Sequence, residues 1–524
     1  MHSESLSLKL KNFVREVFQM LAPHWEKVFY TLAAIIIISQ ITVLGSYTVN
    51  NQDEKSVVYA LDNDAGRAIS TAEKTRWWNS NHFAPYGPIY YRIAHTSASF
   101  VPYAGPGDYH VLVKSQRVHN LALQLASLFS LYALALLVSC ILLPLWWQRL
   151  LLTPLMVSAL THSYWANMVL RPHPDMILAL TAGLATYATA RWIYDGKSES
   201  EKWCAMAWGV AVGTKASVIL FTPAFIFLFF PWNKTKLLQG LKFVGWMLLG
   251  YTLIGFPQSL SYFKVLKFLL GETAVTSPAD WETFKYWLHL LVDQLVWPFA
   301  IALLVILLAS KKQFHFESKK ALRLFLFCLI PTLVLFTRKQ AYNTNHFSMP
   351  FYSCLFIGCI YILRQTFTAS HRPLFVMAFL VLPTIPADFQ KYFVENQKCK
   401  PEAREFAAIL SDLQKSGKHI FHDPYVPVTD VYTDKATEIW GMRWEDLKGH
   451  RLDALALNKT MFYSRYLKAP PAHLWPKERD EWPTRAAFYK PFADGGPVTA
   501  PDQTLWKKSY ENACGMELWL KETP

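Results

Sequence analysis

Charged residues are scarce in this chain of 524 residues. Asp, Glu, Lys and Arg together make up 17% of it, whereas soluble domains carry about 25%. Apolar residues make up 52%, and the mean hydropathy is +0.14. This composition excludes an ordinary soluble protein for most of the chain and predicts that most of it lies in a membrane.

The chain also lacks the short motifs that bind soluble nucleotides or build common hydrolytic sites. It has no Gly-x-x-x-x-Gly-Lys-Ser/Thr phosphate loop, no Gly-x-Ser-x-Gly turn, no His-Glu-x-x-His zinc helix and no dinucleotide fingerprint. No internal repeat is found, and no small-residue cleavage site follows the first apolar run. These absences predict an N-terminal membrane anchor and an activated substrate that arrives attached to lipid.

Acidic residues are fewer than basic ones, 38 against 52, which gives a net charge of +14. A soluble protein with this excess would be expected to bind nucleic acid along one basic face. Here the Lys and Arg residues gather in short connections between apolar runs, a pattern that orients membrane proteins and meets anionic headgroups. The sequence therefore predicts a lipid bilayer as partner and no nucleic acid.

Apolar runs of near-spanning length predict about eleven transmembrane helices. They lie near 29–49, 119–146, 150–168, 174–194, 203–213, 216–231, 238–256, 290–309, 321–336, 346–363 and 373–387. The fifth and sixth runs are short, and they predict a broken or re-entrant pair.

The basic connections also predict the orientation of the chain. With a cytoplasmic N-terminus, the connections at Arg149, 191–202, 234–242, 311–323 and 364–372 all fall on the cytoplasmic side. The opposite side then holds the first loop (50–118), the turn 171–175, the segment 257–289, the turn 338–346 and the C-terminus. A bacterial inner membrane with a periplasmic C-terminus is expected, with the endoplasmic reticulum as the alternative.

The expected fold is an α-helical polytopic membrane domain over 1–388, followed by a soluble extracytoplasmic domain over 389–524. Falling hydropathy and rising charge mark the second domain, and its pattern suggests a mixed α/β fold. Of the seven cysteines, Cys399 and Cys514 lie in this domain, so one disulfide can form there if it faces an oxidising compartment.

The first loop carries the first group of candidate site residues. Asp64 precedes Arg67 by three positions, and Asp62 lies beside them. An isolated loop Asp is more often a surface carboxylate than a catalytic group. Aromatic residues suited to a membrane interface or a sugar follow in the same loop, among them Tyr86, Tyr90 and Tyr91. Together these residues favour a site in which Asp64 or Asp62 is the catalytic base.

Two further candidates flank apolar runs on the same predicted side. Arg171 and Asp175 lie in one turn at the mouth of a span, where Asp175 also suits the first turn of a helix. Lys215 lies where the two short runs meet. A Lys at the end of an apolar segment usually extends to the interface, but an external position favours binding of an anion, and phosphate is the obvious one.

The last group lies in the turn after the ninth run. It brings cations, a phenol and an imidazole within nine positions: Arg338, Lys339, Tyr342 and His346. A solvated turn would also account for this composition. On the external face, however, these donors suit a headgroup that carries phosphates and hydroxyls.

These motifs, in this order, resemble the GT-C superfamily of integral-membrane glycosyltransferases, and most of all its protein O-mannosyltransferase and aminoarabinose-transferase branch. The resemblance covers about 1–390. It rests on Asp64-Ala-Gly-Arg67, Pro85-Tyr86-Gly-Pro88-Ile-Tyr90-Tyr91, Arg171-Pro-His-Pro-Asp175-Met, Thr214-Lys215, and Lys339 with Tyr342, His346 and Pro350. The Asp-Glu pair of that branch is replaced here by Asp62-Asn63-Asp64, so which Asp corresponds stays open. Asp-x-Asp also resembles the metal-binding motif of oligosaccharyltransferases, which leaves a divalent cation, Mg²⁺ or Mn²⁺, open as a cofactor.

The resemblance implies an inverting transfer of a sugar from a polyprenyl-phosphate donor to a hydroxyl of a glycan, glycolipid or protein acceptor. Lys215, Arg338, Lys339 and His346 would then hold the donor phosphate, and Asp64 or Asp62 would accept the hydroxyl proton. Substrate positioning would fall to Arg67, Tyr86, Tyr90, Tyr91, Arg171, Asp175 and Tyr342. A transporter or flippase of a lipid-linked or anionic substrate is the first alternative, and a non-catalytic scaffold is the second.

Overall fold

Long apolar runs become helices throughout the first part of the chain in this computed structural model. The structure describes residues 16, 25–50, 87–98, 109–161, 165, 169, 174–256, 281–314, 316–338, 348–369, 399–423, 426, 436–439, 441–459, 464–470 and 476–522. The helices are α1 (Trp25–Asn50), α2 (Pro88–Ala98), α3 (Tyr109–Leu142), α4 (Trp146–Leu160), α5 (Asp175–Asp195), α6 (Ser198–Thr214), α7 (Thr222–Leu228), α8 (Lys234–Gly255), α9 (Trp281–Ala309), α10 (Ser318–Arg338) and α11 (Ser348–Thr366).

Helices coincide with every predicted apolar run except 373–387, which lies outside the described residues. Among the residues described, four helical stretches are long and apolar enough to cross a membrane: Leu121–Leu142, Asp175–Asp195, Lys234–Gly255 and Phe284–Ile306. The expected eleven are not reached. Helices α4, α6 and α7 are too short, at 15, 17 and 7 residues, since a span needs about 20, and α1, α10 and α11 are not among the four apolar stretches. The structure is thus that of a helical protein with four candidate membrane spans.

Helices α5 and α11 run parallel. Ser353 Oγ donates to the Ala179 carbonyl at 2.8 Å, and the ring of Tyr361 contacts that of Tyr187 two turns further along both helices. Helix α3 follows the same direction, since Leu134 lies beside Gly183 and the end of α3 lies near Tyr187. The beginnings of α5 and α11 therefore lie at one end of the bundle, called the first end below, and their last turns lie at the opposite end.

Small residues let α6 and α8 approach closely, as is common for helices in membranes. A Cβ on Gly209 would lie 2.1 Å from the Met247 carbonyl oxygen, and one on Gly250 would lie 2.5 Å from that of Met206. Any larger side chain at either position would force the two helices apart.

The predicted mixed α/β domain is present in the C-terminal part. Its elements are α12 (Lys400–Lys415), β3 (Ile420–His422), β4 (Ala436–Glu438), β5 (Ala454–Asn458), α13 (Ser464–Tyr466), α14 (Pro476–Ala493), β6 (Val498–Thr499), β7 (Leu505–Glu511) and β8 (Met516–Lys521). The sheet order is β4-β3-β5-β8-β7-β6, with β3 parallel to β4 and β5 and the other pairs antiparallel. Cys399 and Cys514 form the predicted disulfide.

Two short strands lie next to the helical bundle. Strand β1 (Ser310–Phe314) follows α9, and β2 (Phe367–Ala369) follows α11, and the two pair antiparallel. The sequence predicted two separate cytoplasmic connections, at 311–323 and 364–372. The pairing of β1 with β2 places these two connections side by side. The expected domain boundary at 388/389 lies outside the described residues.

Candidate functional site

A buried ion pair marks the first end of the bundle. Lys215 Nζ donates a hydrogen bond to Asp175 Oδ1 at 2.7 Å, and the two side chains are 5% and 0% exposed. Removing two charges from water is costly, so a buried pair persists only with close, well-directed contact.

Helix geometry accounts for the meeting of these residues, which are far apart in sequence. Helices α5 and α6 form a tight hairpin that turns at Gly196, whose φ of +68° is the left-handed conformation that glycine adopts readily. Asp175 begins α5, and Lys215 follows the last residue of α6, so the two lie level. Trp208 Nε1 donates to Thr189 Oγ1 at 2.9 Å and fixes the register between the two helices.

The predicted break between the two short runs is present at Lys215. Helix α6 ends at Thr214, Lys215 is extended, and a 3-10 helix over Ala216–Phe221 leads into α7. The break gives Lys215 a position at the end of a helix, from which its side chain turns toward Asp175. The carboxylate lies in the first turn of α5, where it also complements the helix dipole.

A residue in the middle of the first loop reaches the same place. Gly87 N donates to the Thr214 carbonyl at 2.9 Å, directly before Lys215. A Cβ on Gly87 would lie 2.0 Å from the Gly213 carbonyl oxygen, so no larger side chain fits this contact. Residue 87 of the aromatic and proline segment therefore lies against the helix break.

The first residue of α11 lies at the same level. Ser353 contacts Ala179, which is four residues after Asp175, while Ser348 is five residues before Ser353. At 1.5 Å per residue these offsets are about 6 Å and about 7.5 Å, so Asp175 and Ser348 lie at nearly the same height. The turn predicted to hold Arg338 to His346 enters α11 at this end.

The other predicted site residues fall into three groups. Tyr90 is fully buried, and its backbone N donates to the Gly87 carbonyl at 3.1 Å. Its substrate-positioning role stays a prediction. Tyr91 belongs to α2 and Arg338 to α10, and their side chains are outside the described part. The remaining candidates lie outside the described residues: Asp62, Asp64, Arg67, Tyr86, Arg171, Lys339, Tyr342 and His346.

Sequence reasoning missed two contacts: the pairing of Lys215 with Asp175, and the docking of Gly87. Opposite charges at the mouths of consecutive predicted spans were the available signal for the first. The Pro-aromatic-Gly-Pro sequence around Gly87 was the signal for the second. In the described part of the chain, no group of three or more His, Cys, Asp or Glu residues could hold a metal ion, and the candidates Asp62 and Asp64 lie outside it.

A second buried polar cluster lies in the C-terminal domain, at the carboxyl ends of the parallel strands β3 and β5. Asp423 accepts hydrogen bonds from the Tyr489 hydroxyl and, at 2.9 Å, from the Asn458 backbone N–H. His422 Nδ1 lies 3.0 Å from the Asp423 carbonyl oxygen, and burial lowers the pKa of His422 to about 4. These bonds tie α14 to two strands, which suits a structural role.

Comparison of the chain with models of known protein families and with curated protein sequences gives no match. The motifs and the geometry of the first end of the bundle are therefore the observations that bear on function.

Proposed function

We propose that this protein is an inverting glycosyltransferase that moves a sugar from a polyprenyl-phosphate donor to a hydroxyl acceptor at the extracytoplasmic face of a membrane. The proposal includes the GT-C fold and a bacterial inner membrane with cytoplasmic N-terminus. The buried Lys215–Asp175 pair at the first end of the bundle carries the argument. The pair places the ammonium of Lys215 at the end of the bundle where Gly87 of the first loop contacts the helix break and where α11 begins.

Distribution of charge between the two bundle ends supports the orientation. The opposite end carries the basic connections: Lys320 Nζ donates to the Tyr194 carbonyl at 2.9 Å, and Arg149 Nε donates to the Leu143 carbonyl at 2.8 Å. Positive residues concentrate on the cytoplasmic side of membrane proteins. The first end then faces the extracytoplasmic side, where a lipid-linked donor meets its acceptor.

In the proposed reaction the acceptor hydroxyl attacks the anomeric carbon opposite the phosphate. The carbon–oxygen bond to phosphate breaks, and the phosphate leaves with the electron pair. Asp64 or Asp62 takes the hydroxyl proton. Lys215, Arg338, Lys339 and His346 offset the negative charge that grows on the phosphate. Asp175 orients the ammonium of Lys215 toward the donor phosphate through their hydrogen bond.

The test is sugar transfer by the purified protein from labelled polyprenyl-phosphate sugars, with Asp62→Asn and Asp64→Asn assayed separately. Loss of a general base costs about 10²–10⁴-fold in rate, so one variant should fall by that factor. Asp195→Asn is the matched control, because Asp195 is an exposed carboxylate at the opposite end. Full activity in both loop variants would remove the proposed base.

A transporter or flippase is the second candidate, and the helix break at Lys215 favours it. Broken helices with charged residues at their ends bind substrates in many transporters. Proteoliposomes that contain a labelled lipid-linked sugar separate the two functions. Movement of the label between leaflets without any glycosylated product would support the transporter and contradict the transferase.

A further inference from the structure

The opposite end of the bundle holds a cavity that the proposed sugar transfer does not use. It has a volume of about 240 Å³ and lies where the last turns of α3, α5 and α11 meet. Its lining residues are Cys140, Ile141, Tyr187, Tyr361, Arg364 and Gln365. Tyr187 follows Asp175 by 12 residues on α5, which places the cavity about 18 Å along the helix from the ion pair.

The lining suits a phosphoryl group. Of the lining residues that the structure describes, Arg364 alone is charged, and it is partly buried. A guanidinium presents a planar fork of donors that matches the oxygens of a phosphate. The Gln365 side chain is hydrogen-bonded to the Tyr361 hydroxyl, and the Tyr187 hydroxyl adds a neutral donor to the lining. A cavity with one cation and no carboxylate among its described lining residues favours an anion.

Nearby carboxylates have cationic partners of their own. Asp195 lies 3.7 Å from Arg191 Nε, and Glu317 lies 2.7 Å from Lys320 Nζ. Each of these two carboxylates therefore has a cation beside it, and the charged residue of the described lining is Arg364.

Size and surroundings favour a lipid headgroup as the source of the phosphate. The volume equals that of about eight water molecules at roughly 30 Å³ each, and it is below the roughly 300–1,000 Å³ of pockets that enclose whole small molecules. Exposed aromatic residues surround this end of the bundle: Trp146, Trp203, Phe230 and Trp232. Such residues collect at the headgroup level of a bilayer.

From the cavity, its lining and the aromatic residues around it, we infer that this is a binding site for the phosphate headgroup of an anionic phospholipid, with Arg364 as the main contact. Basic pockets between helices on the cytoplasmic side are a recurring place for such lipids. The inference does not depend on the proposed sugar transfer.

The test measures anionic lipid bound to the purified full-length protein in detergent, by native mass spectrometry, after equal exposure to phosphatidylglycerol and phosphatidylcholine. Wild-type protein should retain phosphatidylglycerol. Arg364→Gln should retain about tenfold less, since one charge-assisted contact is lost. Lys197→Gln is the matched control, because it removes an exposed cation at the same end outside the cavity, and it should bind as wild type does.

Three outcomes decide the inference. Equal retention by wild type and Arg364→Gln would overturn it, as would equal loss in Lys197→Gln. If inorganic phosphate displaces the lipid at millimolar concentration and binds equally well alone, the source is free phosphate and the lipid assignment fails. If Arg364→Gln does not fold, Arg364→Lys and Tyr361→Phe replace it in the test. Both variants should bind less lipid than wild type and should elute from size-exclusion chromatography as wild type does.

Discussion

Replacing Lys215 and Asp175 singly and together should separate the stability of the buried pair from its function. Lys215→Met leaves a buried carboxylate facing an apolar side chain, and Asp175→Leu leaves a buried ammonium in the same way. Breaking a buried pair by removing one partner costs about 3–5 kcal/mol. The double variant places two apolar side chains in contact and should unfold within about 1 kcal/mol of wild type, because an apolar pair of similar volume often replaces a buried ion pair without loss.

The assay is equilibrium unfolding of the full chain in mixed micelles, followed by tryptophan fluorescence. The coupling free energy of the double-mutant cycle should reach at least about 3 kcal/mol. If the double variant is as unstable as the sum of the two single variants, the two side chains do not stabilise each other, and the reasoning from the 2.7 Å contact is refuted.

Sugar transfer measured on the same four proteins completes the test. A purely structural pair would recover activity in the double variant along with stability. The proposed role of Lys215 at the donor phosphate requires that the double variant stay inactive, with a rate about 10²–10³-fold below wild type, as for removal of one transition-state donor. A stable and active double variant would therefore rule out that role.

Three further outcomes follow from the described contacts. Gly87→Ala should separate the first loop from the helix break and lower the melting temperature, since overpacking costs about 1–3 kcal/mol. Gly45→Ala should leave the melting temperature unchanged, because a Cβ at Gly45 has open space around it. Thermal unfolding of both variants checks this. Because the pKa of His422 is lower in the folded protein, the unfolded chain takes up the imidazole proton at a higher pH than the folded chain does. The free energy of unfolding of the C-terminal domain should therefore fall by about 3 kcal/mol as pH falls from about 6.5 to 4. Hydrogen exchange of β5 in wild type and in His422→Gln measures this dependence on pH. Reduction of the Cys399–Cys514 bond, which closes a loop of 115 residues, should cost about 2–5 kcal/mol and speed hydrogen exchange in β8 more than in the membrane helices.

Hydropathy predicted where helices lie better than where they begin. The second predicted run starts near 119, but α3 starts at Tyr109. Its first turns were missed because they include Lys114, Arg117 and His119 and are too polar to count as part of a membrane span. Helix α2 was missed for the same reason, since its 11 residues include Arg92 and His95. Apolar windows report lipid contact, whereas these helical turns extend beyond the apolar runs.

Contacts between segments that are distant in the chain could not be predicted from the sequence. The order of apolar runs placed Asp175 and Lys215 on one side of the membrane, but their contact depends on the register of α5 against α6. That register comes from packing and from bonds such as Trp208 to Thr189, which no periodicity encodes. The antiparallel pairing of β1 with β2 depends in the same way on the arrangement of the helices that precede them.

Stability alone does not account for a buried ion pair at a helix break. An apolar pair of similar volume would stabilise these helices as well or better, so the energetic case for a Lys and an Asp at 5% and 0% exposure is weak. What an apolar pair cannot supply is a cation held in one orientation. The contact of Gly87 with the Thr214 carbonyl brings the first loop to that cation. A buried Lys215 that Asp175 orients at this end of the bundle therefore supports the proposed contact with the donor phosphate.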